Sequence, residues 1–175
     1  MKVDRIALIG YRATGKTSVG RVLADRLGWE FIDTDAEVER VAGRSIASIF
    51  ADDGEEAFRK LEVEAIAANA VRTDCVLSLG GGAVMQAPNR EAIDPAFTVL
   101  LTATAESIHQ RLSGDTATAE QRPNLTNQGG LAEVRAMLAK RNPTYQSCAD
   151  ATVDTEDADI EQIVEKIVAA ISDKV

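Results

Sequence analysis

The chain alternates short apolar runs with longer stretches in which apolar residues recur every three or four positions. The runs Arg5–Ile9, Glu30–Asp33, Cys75–Leu79, Thr98–Leu101 and Ala151–Asp154 have the length and bounds of buried strands. Helical patterns lie between them: Lys16–Leu27, Asp35–Val41, Ser45–Ala51, Glu55–Val71, Ala105–Leu112, Leu131–Arg141 and Asp159–Ile171. The last is the cleanest, with Ile160, Ile163, Val164, Ile167, Val168 and Ile171 on one stripe. Short strands separated by helices predict βαβ units and a parallel sheet covered on both faces. No internal repeat interrupts the series. One stretch lacks periodicity: Ser113 to Gly130 is polar and small, with Gly114, Pro123, Gly129 and Gly130. A loop that long in a compact domain is usually functional, and this one reads as a lid over about 113–130. Pro143 falls inside a helical pattern and should kink or split that helix.

Chemistry enters where the first strand meets the first helix. Gly10-Tyr11-Arg12-Ala13-Thr14-Gly15-Lys16-Thr17 has the spacing G-x-x-x-x-G-K-T, preceded by Ile6-Ala7-Leu8-Ile9 and followed by a helical stripe through Val19, Val22, Leu23 and Leu27. Strand, glycine-bearing turn and helix N-terminus is the context in which backbone N–H groups converge on phosphate. Gly10, Ala13, Thr14, Gly15, Lys16, Thr17 and Ser18 are therefore the candidate nucleotide-phosphate set. Lys16 can reach the β- and γ-phosphates, and the Thr17 hydroxyl can ligate Mg²⁺. Two further motifs end strands two and three: Asp33-Thr34-Asp35 and Gly80-Gly81-Gly82. All three fall on the sheet edge where open α/β sheets bind ligands. One carboxylate of the pair suits water-mediated contact with Mg²⁺ and the other a substrate hydroxyl. Capping of the next helix, with Asp35 as N-cap, stands beside that reading. Three glycines in a row suit close approach of backbone to a ligand, or a plain turn.

Composition narrows the partners. A chain of 175 residues, 45% apolar and 27% charged, predicts one domain spanning 1–175 with a real core. No apolar run approaches membrane-spanning length, and the four apolar residues between Arg5 and Gly10 make no signal peptide. The net charge of −9, with 19 basic residues scattered among 28 acidic ones, argues against a nucleic-acid partner. Anionic ligands then require local positive charge, which directs attention to individual arginines. Cys75 and Cys148 have no pairing pattern and predict free thiols in a reducing cytosol. His109, the single histidine, reads as a helix surface or packing residue.

The ordered set of motifs resembles shikimate kinase along nearly the whole chain. The phosphate loop comes first and Asp33-Thr34-Asp35 second. Phe58-Arg59-Lys60-Leu61-Glu62 is similar to the family's F-R-x-x-E segment. Gly80-Gly81-Gly82 follows, then Arg122-Pro123 with Leu125 in the lid region, then Arg141 with Tyr145, similar to the family's R-x-x-x-Y. The resemblance implies a P-loop NTPase fold: a three-layer α/β/α sandwich of the nucleoside monophosphate kinase type, with a five-stranded parallel sheet. It implies phosphorylation of the 3-hydroxyl of shikimate by ATP with Mg²⁺, in the route to chorismate and aromatic amino acids. A cytoplasmic monomer with no nucleic-acid or membrane partner is expected. Position by position, Asp33 would hold metal-bound water and Asp35 would accept a hydrogen bond from the reacting hydroxyl. The acceptor-binding segment would span about 34–62. Arg59 and Arg141 would clamp the shikimate carboxylate, with backbone N–H from Gly81 and Gly82. Arg122 would neutralise charge on the transferring group. Arg111 is placed like the arginine that stacks on adenine, and a solvated helix position suits it equally.

The residues themselves support Arg141 best. It projects about 20° from Val134 on a helical wheel, on a partly apolar face, where a guanidinium must find a partner or a cleft. Three departures from the family pattern stand out. Ala13 replaces a usual glycine, which demands either a negative φ or strain. Leu79 replaces a frequent threonine. No proline matches the adenine-side position in Thr155-Glu156-Asp157. Another small-metabolite or nucleoside monophosphate kinase on the same fold, and a non-catalytic nucleotide-binding module, are the rival readings.

Overall fold

A computed structural model describes residues 3–114 and 129–172. Five strands form one parallel sheet: β1 (Arg5–Ile9), β2 (Glu30–Asp33), β3 (Cys75–Ser78), β4 (Phe97–Thr102) and β5 (Ala151–Asp154), in the order β2-β3-β1-β4-β5. The helices are α1 (Lys16–Leu27), α2 (Thr34–Ala42), α3 (Ile46–Ala70), α4 (Ala87–Ile93), α5 (Ala105–Gly114), α6 (Gly130–Cys148) and α7 (Ile160–Ser172).

The inner strands β1, β3 and β4 are mostly apolar and buried because both faces of the sheet are covered there, whereas the edge strands β2 and β5 are only partly buried and carry Glu30, Asp33 and Asp154. Along β1 the side chains alternate between two cores. Ile6 and Leu8 join Val19 and Leu23 of α1 and Ile163, Val164 and Ile167 of α7. Ala7 and Ile9 join Ile66 of α3, Ile93 of α4 and Tyr145 of α6 on the other side. This is the three-layer α/β/α sandwich of the P-loop nucleoside monophosphate kinase type. A smaller cluster, Val38, Ile49, Phe58 and Ala65, binds α2 to α3 beyond the sheet. Another, Tyr11, Ile108 and Val134, underlies the loop after β1 and the facing sides of α5 and α6.

Strands β1 and β3 are neighbours, yet α1 packs on one face of the sheet and α4 on the other. A crevice therefore opens between them at their C-terminal ends, the topological switch point where such sheets bind ligands. The register brings Asp33 level with Ser78, and Ser78 level with Leu8. The three motifs thus stand side by side on one edge.

Several local expectations are corrected. Asp35 does not cap α2. Asp33 does: its Oδ1 accepts from the N–H of Asp35 at 3.1 Å and of Ala36 at 3.4 Å. Pro143 does not split its helix, since α6 runs from Gly130 to Cys148. Beyond the proline, Tyr145 is fully buried and tied to Gly81, so tertiary packing holds the last turns. The two patterns on either side of Gly54 do stand as two helical stretches within α3, separated by a kink at Gly54, whose φ 80° and ψ 177° are non-helical. A 3₁₀ turn (Ala83–Met85) and α4 were not foreseen; α4 is short, and the N–H-less Pro88 in its first turn was the available signal. The lid segment lies outside the described residues save for its ends: Ser113 and Gly114 finish α5, and Gly129 and Gly130 open α6.

Candidate active site

The loop after β1 is shaped by close approach to its neighbours. Gly10 has φ 138°, and a Cβ there would overlap the carbonyl oxygen of Leu101 on β4, so only glycine fits. The buried Thr14 hydroxyl donates to Tyr11 O at 2.8 Å and closes the turn. Lys16 Nζ, almost fully buried, donates to Gly10 O and Tyr11 O, each at 2.8 Å, which ties the ammonium to the loop it belongs to. Helix α1 begins after Gly15 with no side-chain cap and no acidic residue in its first turn. Its positive dipole end is left for an anion from outside. Ala13 takes the strained alternative, with φ 62°.

The metal-side pair is formed. Thr17 Oγ1 donates to Asp33 Oδ2 at 3.0 Å, while Asp33 Oδ1 caps α2. Both carboxylate oxygens are therefore held in place by short-range bonds. No cluster of three His, Cys, Asp or Glu side chains suited to a metal occurs among the described residues.

The triple glycine is where the predicted acceptor residues meet. A Cβ on Gly80 would stand 2.7 Å from Asp35 Oδ1 and 3.1 Å from Glu62 Oε1. A Cβ on Gly82 would stand 2.9 Å from Arg59 Nη2. The carbonyl of Gly81 accepts from Arg141 Nη1 at 3.3 Å and from the Tyr145 hydroxyl. Three helices, α2, α3 and α6, thus deliver Asp35, Arg59 and Arg141 to one tripeptide. A cleft of about 200 Å³ joins this region to the phosphate loop, with Lys16, Thr17, Asp33, Asp35 and Gly81 among its walls. Arg59 adjoins Gly82 and Arg141 adjoins Gly81 next to that cleft, though neither lines it.

Two residues that the F-R-x-x-E and R-x-x-x-Y segments contain, but that the motifs give no role, organise the site: Glu62 and Tyr145. Glu62 is 1% exposed and accepts from Arg59 Nη1 at 2.8 Å, one helical turn away. Burial pushes its carboxyl above the usual range; Arg59 opposes that, and the nearby Asp35 carboxylate adds to it. Burial lowers the pKa of Arg59, but ion pairing with Glu62 and Glu55 more than offsets it, and the net shift is upward. Glu62 thus aims Arg59 and carries a desolvation cost to do so. Tyr145 does the same on the other side: its phenol is raised by burial, with Arg141 opposing. The signal for both was in the sequence, a polar group at helical spacing from a functional arginine on an apolar face.

Two arginines around Tyr11 complete the surroundings. Arg12 and Arg141 lie 5.8 and 5.7 Å from the Tyr11 ring centroid, within range for cation–π attraction. Arg12 Nη2 also pairs with the buried Glu133 at 3.2 Å, tying the phosphate loop to the first turn of α6. Arg111 is neither loose nor unengaged: it donates to Ala13 O, Thr155 Oγ1 and Thr155 O. Leu79 is packed into the core beside Leu77 and Ala83. Cys75 and Cys148 are both free, and Cys75 is fully buried. Arg122 lies outside the described residues.

A family model described as shikimate kinase matches residues 12–172. The chain belongs to the shikimate kinase family. A shikimate kinase from Symbiobacterium thermophilum is 39% identical over 170 residues, covering 97% of each chain. A solved shikimate kinase from Acinetobacter baumannii, in complex with shikimate, superposes with a TM-score of 0.91 at 36% identity, over 98% of this chain and 94% of that one. A gluconokinase from Sinorhizobium meliloti shares the fold alone, with a TM-score of 0.64 at 20% identity, over 98% of this chain and 93% of that one. No helix among the described residues is long and apolar enough to cross a membrane.

Proposed function

We propose that the chain transfers the terminal phosphoryl group of ATP to the 3-hydroxyl of shikimate, giving shikimate 3-phosphate in the route to chorismate. The observation that carries this reading is the convergence of Asp35, Arg59 and Arg141 on Gly80–Gly82, one cleft away from Lys16. A nucleotide site alone would need no such arrangement. An acceptor with one carboxylate and vicinal hydroxyls matches it: two guanidinium groups for the carboxylate, one carboxylate for a hydroxyl.

The division of labour follows from the positions. Gly10, Ala13, Thr14, Gly15, Thr17 and Ser18 surround the nucleotide phosphates. Lys16 trades its loop carbonyls for phosphate oxygens and carries positive charge to them. Thr17 and Asp33 are hard oxygen donors 3.0 Å apart, which fits Mg²⁺ bound through phosphate, hydroxyl and water. That ion, when bound, neutralises charge on the β- and γ-oxygens. In a loose transition state the attacking hydroxyl needs orientation before it needs deprotonation, so Asp35 serves first as acceptor of its hydrogen bond. Gly81 and Gly82 offer N–H groups to the same substrate. Arg122 supplies charge to the transferring group from the segment 113–130, which acts as a lid. Segment 34–62 serves acceptor binding within a single domain. The protein works as a cytoplasmic monomer without a nucleic-acid partner.

A coupled ADP-release assay across shikimate, gluconate and nucleoside monophosphates tests the assignment. Turnover with shikimate exceeding the others by several orders of magnitude is expected. Preferred turnover with gluconate or a nucleoside monophosphate would replace it, and no turnover with any acceptor would leave a nucleotide-binding module.

A further inference from the structure

Ala13 is one of three described non-glycine residues with positive φ; the others, Asp74 and Asp157, are aspartates. Aspartate tolerates the left-handed region through local hydrogen bonds of its side chain, and alanine has none. Alanine there is disfavoured by about five- to thirty-fold relative to the right-handed region. Something outside residue 13 must hold it. Its carbonyl accepts from Arg111 Nη1 at 3.2 Å. The same guanidinium donates to Thr155 Oγ1 at 3.2 Å and Thr155 O at 3.3 Å. Thr155 is itself fixed: buried, with its N–H and Oγ1 both donating to Thr102 O at 2.9 Å at the end of β4. Arg111 is therefore anchored on the sheet edge at one end and grips the phosphate loop at the other.

We propose that Arg111 is a positioning residue of the phosphate loop, a strap that holds Ala13 in the left-handed conformation which glycine would adopt unaided. The peptide unit between Ala13 and Thr14 is trans and planar. Its N–H points opposite to its C=O, so a carbonyl drawn toward Arg111 turns the Thr14 N–H away from it, into the loop. The strap thus orders a phosphate donor through backbone geometry, independently of any contact between Arg111 and a base. The in-plane hydrogen bonds leave the faces of the guanidinium uncovered by that function, so stacking on adenine is a separate property. The inference rests on the phosphate-loop reading above and deepens it.

The test is a double-mutant cycle, Ala13→Gly, Arg111→Ala and both together, with two probes. Inorganic tripolyphosphate has the phosphates without the base; ATP has both. Each is titrated by competition or calorimetry with Mg²⁺ present. Arg111→Ala is expected to weaken tripolyphosphate about five- to ten-fold in the parent chain and less than two-fold when residue 13 is glycine. Rescue by Ala13→Gly is the signature, since general loosening of α5 would not be repaired at residue 13. Weakened ATP with unchanged tripolyphosphate would make Arg111 a base contact only and overturn the strap. Equal losses in both backgrounds would overturn it too. If the parent chain bound neither probe, the phosphate-loop reading would fall first. The strap would then be judged on urea unfolding of the same four proteins. There Arg111→Ala must raise the unfolding constant several-fold more in the parent background than in the Ala13→Gly background; additivity would refute it.

Discussion

Replacing Arg141 by alanine tests the acceptor clamp most directly. The side chain is 8% exposed, donates to Gly81 O at 3.3 Å and lies 5.7 Å from the centre of the Tyr11 ring. Its removal has two separable consequences. The fold loses one charge-assisted hydrogen bond, a cation–π contact and some packing, about 1–3 kcal/mol altogether. The Tyr145 hydroxyl still has Gly81 O as acceptor, and Glu62 still has Arg59, so no buried group is orphaned by the change. Acceptor binding loses more, because the substrate carboxylate would face a single guanidinium in a desolvated recess. Truncating one partner of such a pair costs about 2–5 kcal/mol, which is about 30- to 5,000-fold in affinity. Lysine at the same position should recover little, since it lacks the planar fork. The assay is isothermal titration of shikimate and of ATP separately, with urea unfolding as control. A large loss for shikimate with ATP changed less than about three-fold is expected. Equal losses for both ligands, or loss for ATP alone, would refute the clamp.

Other outcomes are expected from the same geometry. Lys16→Met should leave the urea transition cooperative while lowering turnover at least about 10²–10³-fold, the scale for removing one aimed charge donor at a transition state; turnover near that of the parent chain would end the phosphate-loop assignment. Arg122→Ala should lower kcat more than it weakens ATP binding in the ground state, as a contact that matters most during transfer does; an unchanged kcat in steady-state assays would remove it from catalysis. Glu62→Gln tests the buried carboxyl by pH. Its folded pKa is raised, chiefly by burial, so its contribution to stability is fully present below the unfolded value and is lost as pH rises through the folded one. Urea unfolding at pH 4 and pH 7 should therefore show the glutamine variant gaining on the parent as pH rises, even as its KM for shikimate worsens through a misaimed Arg59. A stability difference that is flat across that range, or that moves the other way, would contradict the shift.

The elements and the site were legible to different depths, and the reason is range. Strands such as Arg5–Ile9 announce themselves because both faces are buried, so Ile6 to Ile9 are all apolar and Gly10 marks the end. The phosphate loop is a contiguous motif whose geometry depends on its own glycines and on the helix it opens. The sheet edge then places Asp33 and Gly80 beside it without further information, once the strands are parallel. What spacing does not carry is pairing across distance. Arg12 and Glu133 are 121 positions apart, and nothing in either neighbourhood names the other. Capping by Asp33 rather than Asp35 turned on a two-residue difference in where extended backbone ends. The continuity of α6 through Pro143 turned on burial of Tyr145 in the core on one face of the sheet and on its bond to Gly81, tertiary contacts that outweigh a local helix breaker.

The glycines show how a sequence can mark a site for two different physical reasons. Gly10 and Gly15 are required by their own backbones, with φ of 138° and 93°. Gly80, Gly81 and Gly82 are not: none of them has positive φ. They are small because of what stands opposite. The Asp35 and Glu62 carboxylates occupy the space a side chain on Gly80 would need, and the Arg59 guanidinium occupies the space next to Gly82. A turn built for backbone reasons would tolerate alanine at φ −104°, the value at Gly82. A turn built to let charged side chains from α2 and α3 reach its surface would not, because alanine would push aside the very groups that define the recess. Gly80 and Gly82 are thus a negative image of the side chains opposite them, while a Cβ on Gly81 would stand 3.1 Å from Arg12 N in the phosphate loop. The run of glycines places the acceptor residues in one locality from the sequence side, as the distances do from the structural side, and it ties their arrangement to the same strand edge that carries the phosphate loop.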